Sequence, residues 1–266
     1  MIKNMVGLEA EFFVLKDNEL VFPSDYGFST DEFIILGEFR AEPGNNRSET
    51  IANFLKAYYD TVEKATKNGV NISLIPSYTI DLEFWSKILK RLGMKEISQS
   101  KNIYGTDILK MSDAVISEGK LVGHNLTIGL HIHFSSSEIN ERKVLFSPMD
   151  NYIPVYLPLS IGENLNTTIN LYQKTGTLPS KEEIISSYAS RITKPVLEYM
   201  IKRLDNELLP IYSDGVKEFK FRQPGYYELK SHGGFEYRSL PMRAEILDSI
   251  FNIVDFSFDL LESLDL

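Results

Sequence analysis

Four short segments, spread over most of the chain, repeat one pattern in which ionisable residues alternate with apolar ones. They comprise residues 7–13, 37–43, 129–135 and 234–238. Residues two apart in a β-strand lie on the same face of that strand. The pattern therefore predicts four strands, each with one charged and one apolar face. Because the apolar faces must be buried, it also favours a sheet that is covered by helices on one side.

The charged faces carry residue types that ordinary solvent-exposed strands seldom combine. Glutamates and arginines lie on three of the strands, and two of the chain's four histidines share the remaining one. The members are Glu9 and Glu11 on the first strand, Glu38, Arg40 and Glu42 on the second, His131 and His133 on the third, and Glu236 and Arg238 on the fourth. Any one of these strands is typical of the outer face of an antiparallel sheet. Together they indicate one functional site.

Convergence of the four faces would bring five carboxylates together, those of Glu9, Glu11, Glu38, Glu42 and Glu236. Two like charges about 4 Å apart repel by roughly 4 kcal/mol at an effective dielectric constant near 20. The two arginines and two neutral histidines of these strands offset only part of that charge. The excess predicts a divalent cation. Carboxylate ligation favours Mg²⁺ or Mn²⁺, and the imidazoles make zinc a competitor.

A second cluster of charge precedes the fourth strand. Two glycine-containing turns, Gln223-Pro224-Gly225 and Gly233-Gly234, are surrounded by Lys217, Lys220, Arg222, Lys230 and His232. Basic side chains beside glycines can hold phosphate oxygens, because glycine permits a close approach of the backbone. A solvated hairpin with turn glycines is the alternative interpretation. The cluster indicates a phosphate site only in combination with the metal strands.

The rest of the pattern predicts an α+β chain. Expected strands cover residues 5–15, 34–42, 70–75 and 127–135, and a hairpin covers 218–240. Expected helices begin at Ser48 as N-cap, at Asp81 and near Pro195, and an amphipathic helix through 246–261 ends the chain. Residues 98–125 are expected to form a loop.

Composition limits the possible functions. The net charge of −9 would repel a nucleic-acid backbone, so no nucleic-acid partner is expected. The absence of cysteine excludes disulfides, thiolate metal ligands and a cysteine nucleophile. No repeat or linker divides the chain, and 43% of its residues are hydrophobic, so residues 1–266 are predicted to form a single domain. No long apolar N-terminal stretch is present, which favours a cytoplasmic protein without a membrane partner.

In their order along the chain, these motifs resemble those of the phage-type carboxylate-amine ligases, or amidoligases, of the glutamine synthetase and glutamate-cysteine ligase superfamily. The matching segments are Gly-Leu-Glu-Ala-Glu at 7–11, Gly-Glu-Phe-Arg-Ala-Glu-Pro-Gly at 37–44, Gly-Leu-His-Ile-His-Phe at 129–134, and the C-terminal segments 221–228 and 233–241. The resemblance implies a glutamine synthetase-like fold, with a curved, mainly antiparallel sheet and helices on its convex side. For a phage-encoded chain it implies the host cytoplasm.

The resemblance also implies ATP and Mg²⁺ or Mn²⁺ as cofactors. Glu11 and a second-strand glutamate would hold one metal ion, and Glu9, Glu236 and either His131 or His133 would hold another. Glu42 and Glu49 compete with Glu38 for the second-strand position. Arg238 would neutralise the transferred phosphoryl group, with Arg40 and Arg222 as further catalytic cations, and the nucleotide would contact His131, His133, Arg222, Lys230 and Arg238. Relatives often carry arginine where this chain has Glu228.

The implied reaction joins a carboxyl group to an amine through an acyl phosphate, with release of ADP and phosphate. The expected partner is a small-molecule or peptide substrate that carries these groups. Two alternatives stay open. One is a metal-dependent hydrolase that uses metal-bound hydroxide and needs no nucleotide. The other is a non-catalytic nucleotide- or metal-binding module of the same fold.

Overall fold

The computed structural model describes residues 4–30, 34–92, 99–101, 107–109, 113–136, 144–146, 153–155, 194–212, 222–230 and 234–265. Within these residues the protein is α+β, with a curved antiparallel sheet and flanking helices. The strands are β1 (Asn4–Lys16), β2 (Glu19–Val21), β3 (Gly37–Arg40), β4 (Asn71–Ser73), β5 (Ser77–Asp81), β6 (Gln99–Lys101), β7 (Asp107–Leu109), β8 (Asp113–Ser117), β9 (Lys120–Thr127), β10 (Gly129–Ser136), β11 (Val144–Phe146), β12 (Ile153–Val155), β13 (Tyr227–Leu229) and β14 (Phe235–Pro241). The helices are α1 (Arg47–Lys67), α2 (Leu82–Leu92), α3 (Lys194–Glu207), α4 (Leu209–Tyr212) and α5 (Ala244–Glu262).

The long strand β1 organises the main sheet. Its first half pairs with β10, which pairs with β14, and β14 pairs with β13. On its other edge β1 pairs with β3, and further along with β2 and β4. All of these pairings are antiparallel. The four strands that carry the predicted charged faces are therefore neighbours in one sheet, in the order β14, β10, β1 and β3.

Helices α1 and α5 pack against each other and against β1. Phe39 of β3 contacts Phe54 of α1 with ring centroids 5.3 Å apart, and it also stacks on Phe12 of β1. Helix α5 buries one side with Ile246, Ile250, Ile253 and Val254, as its helical spacing predicts. Burial of these apolar side chains removes a large apolar area from water and holds the sheet against the helices.

The start of α1 differs from its prediction. The N-cap is Asn46, two residues before Ser48, and its side chain accepts a hydrogen bond from the backbone N–H of Glu49 at 3.0 Å. The Glu49 carboxylate in turn accepts from the backbone N–H of Asn45. Asparagine and serine are both good N-caps, so residue type alone did not distinguish the two positions.

The cap makes a stability prediction. Asn46→Ala should lower the free energy of unfolding by about 1 kcal/mol, because it removes an acceptor for a helix N–H. Ser48→Ala, its matched control within the first turn, should change it by less than about 0.5 kcal/mol. Urea denaturation of both variants measures the difference. Equal losses in the two variants would contradict the assigned cap.

Residues 98–125 contain a β-hairpin, so the prediction of a loop there is wrong. Strands β8 and β9 pair through the two-residue turn Glu118-Gly119, both of which have positive φ, and β9 also pairs with β5. Such a turn matches the twist of the flanking strands and needs a residue such as glycine that tolerates positive φ. Residues 102–106 and 110–112 of this segment lie outside the described residues.

Other predicted elements hold with changed bounds. The strand predicted at 34–42 is shortened to β3, and the chain beyond it returns to β1 through a bridge between Gly44 and Val6. The helix near Pro195 is confirmed as α3, and the C-terminal helix as α5. Residues 218–221 and 231–233 of the predicted C-terminal hairpin lie outside the described residues, and its strands are β13 and β14. Among the described helices, none combines the length and the apolar character that crossing a membrane requires.

Candidate metal centre

The strand register brings the charged faces together at the centre of the sheet. Glu9 of β1 lies opposite His131 of β10 on one side and opposite Arg40 of β3 on the other. His133 of β10 lies opposite Glu236 of β14. Direct cross-strand neighbours point to the same face, so these five side chains share one face of the sheet. Glu11 and Glu38 form a further opposed pair on β1 and β3.

Glu9, His133 and Glu236 form a compact group of potential metal ligands. One ligand atom from each can be chosen so that all three lie within 4.8 Å of one another. Both glutamates are buried, and His133 is partly buried with its Nε2 3.4 Å from Glu9 Oε2. Two carboxylates and one imidazole are a donor set that Mg²⁺, Mn²⁺ and zinc can all use. The residues present therefore fit a divalent cation.

His131 connects the glutamates beneath this group. Its Nδ1 lies 2.8 Å from Glu236 Oε1 and 3.3 Å from Glu9 Oε1, and its Nε2 lies 3.1 Å from a guanidinium nitrogen of Arg222. Guanidinium only donates, so in the neutral form of His131 Nε2 accepts from Arg222 and the ring proton lies on Nδ1. Burial and Arg238 lower the pKa of His131, but Glu236 and Glu11 outweigh them and raise it to about 9. A second proton on Nε2 would point at Arg222 and displace it.

Arg222 and Glu11 form a buried ion pair. A guanidinium nitrogen of Arg222 contacts Glu11 Oε2, which also accepts the backbone N–H of Gly129 at 2.6 Å. Arg222 donates in addition to the backbone oxygen of Arg238 at 3.0 Å. A Cβ on Gly129 would lie 2.3 Å from the centre of the guanidinium group, so only glycine leaves room for this arginine. The sequence pattern did not indicate this requirement.

Arg40 bridges two carboxylates at the edge of the cluster. Its Nε lies 3.0 Å from Glu9 Oε2 and contacts Glu38 Oε1, and its Nη2 lies 3.1 Å from Glu38 Oε2. Burial raises the pKa of Glu38 to about 8; the hydrogen bond from Arg40 opposes that shift and neighbouring Glu9 adds to it. Burial also raises the pKa of Glu9, but hydrogen bonds from His131 and His133 outweigh it and the net shift is downward.

A β-bulge in β14, opposite His131, determines where Arg238 lies. The register shifts between Leu130 and Ile132, so β14 has one extra residue there, and the backbone N–H of Arg238 donates to the backbone oxygen of Tyr226, just before β13. Bulges commonly redirect a side chain in this way. Arg238 Nη1 lies 2.6 Å from Glu228 Oε2 and 3.4 Å from Glu236 Oε1.

Lys230 is the second cation beside Glu236. Its Nζ contacts Glu236 Oε2 and lies 3.5 Å from Glu228 Oε2. Burial lowers the pKa of Lys230, but Glu236 and Glu228 outweigh it and raise it. Burial raises the pKa of Glu236, whereas the charges of His131 and Arg238 and a hydrogen bond to His131 lower it overall. Glu236 is therefore held as a carboxylate between two cations.

Asp205 of α3 supports the turn that carries Arg222, and sequence analysis missed it. Its Oδ1 accepts from the Tyr237 hydroxyl at 2.7 Å and from the backbone N–H of Gly225 at 3.1 Å. Ser239 Oγ accepts from the backbone N–H of Tyr226 at 3.0 Å. These contacts tie the turn to β14. An isolated aspartate on a helix gives no sequence signal for such a role.

The charge of the cluster is more nearly balanced than the sequence suggests. Among the described residues, five glutamates contact four basic side chains: Glu9, Glu11, Glu38, Glu228 and Glu236 against Arg40, Arg222, Lys230 and Arg238. Arg40 and Arg238 lie on the four predicted charged strands, whereas Arg222 and Lys230 come from the segment that precedes the fourth of them. A metal ion here would therefore compete with resident cations instead of filling an uncompensated negative site.

Some of the predicted residues lie apart from this cluster. Glu42 follows the end of β3 and is exposed, and the exposed Glu49 caps α1. Of the three second-strand candidates, Glu38 is the one that contacts the other site residues. Lys217, Lys220 and His232 lie outside the described residues.

An open cleft of about 350 Å³ adjoins the cluster. Glu9, Arg40 and His133 form its polar side, and small or apolar residues such as Gly7 and Pro43 line the rest. A cleft of this size can hold a small organic molecule next to the potential metal ligands.

Comparisons of the chain with protein-family models, with curated proteins and with solved structures found no match.

Proposed function

We propose that the protein is an ATP-dependent carboxylate-amine ligase that forms an amide or peptide bond on an amino acid or peptide. The fold that goes with this proposal is the glutamine synthetase-like one, which the motif order suggests. The curved antiparallel sheet and the helices packed on β1 are compatible with it.

One observation carries the proposal: the potential metal ligands Glu9, His133 and Glu236 lie directly beside the cations Arg238 and Lys230. A site for metal alone needs no adjacent arginine and lysine. A metal–polyphosphate needs both, because acidic residues bind the metal and cations bind the phosphoryl oxygens. The composition of the cluster therefore fits MgATP or MnATP better than a hydrolytic metal ion.

In the proposed reaction, a carboxylate oxygen of the first substrate attacks the γ-phosphorus of ATP, and ADP leaves. Divalent ions at Glu9, His133, Glu236 and Glu38 would offset charge on the phosphates. Arg238 would stabilise the charge on the transferred phosphoryl group. The amine of the second substrate then attacks the carbonyl carbon of the acyl phosphate, phosphate leaves, and a carboxylate of the pocket accepts the amine proton.

The reaction is tested with mixtures of amino acids and short peptides in the presence of ATP and Mg²⁺. Nucleotide products are separated by chromatography, and condensation with loss of one water is sought by mass spectrometry. ADP and an ATP-dependent condensation product are expected. AMP with pyrophosphate would indicate adenylation instead, and a metal-dependent reaction that needs no ATP would favour the hydrolase.

Metal binding makes a second prediction. Mn²⁺ at about 100 times its dissociation constant should stabilise the folded protein by about 2.7 kcal/mol, because only the folded state brings the ligands together. Glu9→Gln should abolish most of the resulting rise in Tm. Glu42→Gln, an exposed glutamate beyond β3, is the matched control and should keep it. An unchanged Tm shift in Glu9→Gln would exclude Glu9 from the metal site.

A further inference from the structure

Arg40 is the most exposed member of the charged cluster, although it holds two buried carboxylates. Its side chain is 69% exposed, whereas those of Glu9 and Glu38 are 8% and 1% exposed. Its guanidinium group contacts both oxygens of Glu38 and Oε2 of Glu9. A positive group thus lies between two carboxylates of adjacent strands, where a bound cation would otherwise be expected.

The same oxygen of Glu9 also lies close to His133 of the potential metal site. Glu9 Oε2 lies 3.4 Å from His133 Nε2 and 3.0 Å from Arg40 Nε. A divalent ion that uses Glu9 together with Glu38 would therefore meet the guanidinium group in its place. Two positive groups cannot share these oxygens without strong repulsion, so the ion and Arg40 compete.

Arg40 can leave this position without disturbing the core. The guanidinium group of Arg40 is exposed to water on the side of the cleft, so it can move outward when a divalent ion takes over the charge of Glu38 and Glu9. Arg222, in contrast, is buried against Glu11 and cannot move outward in the same way. Of the two arginines that hold glutamates of β1, Arg40 is the displaceable one.

We propose that the Arg40 guanidinium group competes with a second divalent cation for Glu38, and that this competition determines the affinity of the protein for that ion. The inference rests on the metal centre of the proposed function. A first ion at Glu9, His133 and Glu236 binds while Arg40 stays near Glu38. A second ion at Glu38 binds after the guanidinium group has moved into the cleft. Removal of Arg40 therefore strengthens metal binding, the reverse of what loss of a binding residue does.

The test counts bound Mn²⁺ by the electron paramagnetic resonance signal of the free ion, at low ionic strength and without nucleotide. An internal group that occupies a site nine-tenths of the time lowers its apparent affinity about tenfold. Arg40→Ala should therefore bind the second Mn²⁺ about tenfold more tightly than the unmodified protein, with a smaller change for the first. Arg40→Lys keeps a charge but loses the bidentate contact, so its affinity for the second Mn²⁺ should lie between those of the unmodified protein and Arg40→Ala.

Two further variants separate competition from general effects. Arg47→Ala removes an arginine that pairs with Asp259 and Glu262 away from the site, and it should leave Mn²⁺ binding unchanged. Adding Glu38→Gln to Arg40→Ala should abolish the gain at the second ion, since Glu38 is the ligand that Arg40 blocks.

The outcomes distinguish this inference from the proposed function. Unchanged or weaker Mn²⁺ binding in Arg40→Ala, with normal binding of the first ion, would overturn the role of Arg40 and leave the metal centre intact. No Mn²⁺ binding in any variant would overturn both. Thermal melts of each variant without metal confirm that it is folded. If Arg40→Ala does not fold, Arg40→Lys serves as the test.

Discussion

Arg222→Ala should lower the free energy of unfolding by about 3–5 kcal/mol, one of the largest single-residue effects in this chain. The substitution leaves the Glu11 carboxylate buried with the Gly129 N–H, and removes the guanidinium contacts to Glu11, His131 and the Arg238 backbone. An uncompensated charge in a buried site costs more than the ion pair contributes. Urea denaturation at neutral pH measures the loss.

A double-mutant cycle tests the cause of that loss. Glu11→Gln in the Arg222→Ala background removes the uncompensated charge, so the double variant should be more stable than the sum of the two single losses predicts, by about 1–3 kcal/mol. Arg91→Ala, which breaks an exposed ion pair with Asp25, is the control and should cost about 1 kcal/mol or less. Additive losses at Arg222 and Glu11 would contradict a direct buried pair.

Arg238→Ala should lower kcat of the proposed ligase roughly 100-fold, the effect of losing one preorganised group that stabilises charge in the transition state. Its guanidinium group lies beside Glu236, and therefore next to the potential metal ligands, with its exposed fraction at 12%. The charge of the transferred phosphoryl group is greatest in the transition state, so KM for ATP should change less than kcat. Steady-state kinetics of ADP release give both constants.

Two further variants serve as controls for the effect of Arg238→Ala on kcat. Arg203→Ala removes an exposed arginine of α3 that pairs with Glu207, and it should leave kcat unchanged. Glu228→Gln removes the negative charge from the 2.6 Å contact with Arg238 but keeps the side-chain size and an acceptor oxygen, so it tests whether that charge restrains Arg238. A fall in ATP affinity as large as the fall in kcat would assign Arg238 to ground-state binding instead.

The period-two alternation allowed the convergence of four charged faces to be predicted. Once Glu9, His131, His133 and Glu236 are on one face of their strands, antiparallel pairing of those strands brings them together. The apolar spacing of α5 likewise allowed its buried side to be predicted, because burial follows the helical period. These are local patterns that a sheet or a helix repeats along its length.

The partner of each charge could not be predicted, because it depends on contacts between distant parts of the chain. Arg222 and Glu11 are 211 residues apart, and their pairing needs the missing side chain of Gly129, which leaves room for the guanidinium group. For the same reason the sequence assigned Arg222 to phosphate, whereas its guanidinium group contacts Glu11 in the structure. The role of Asp205 could not be predicted, because a single aspartate on a helix is not part of a repeating pattern.

The most direct test of the proposed metal-nucleotide centre is a crystal structure with Mn²⁺ and a non-hydrolysable ATP analogue, in which anomalous scattering locates the ions. Mn²⁺ is expected within about 2.0–2.6 Å of oxygens of Glu9 and Glu236 and close to His133, with the terminal phosphate facing Arg238. Ions bound away from this cluster, or a nucleotide bound elsewhere on the molecule, would contradict it.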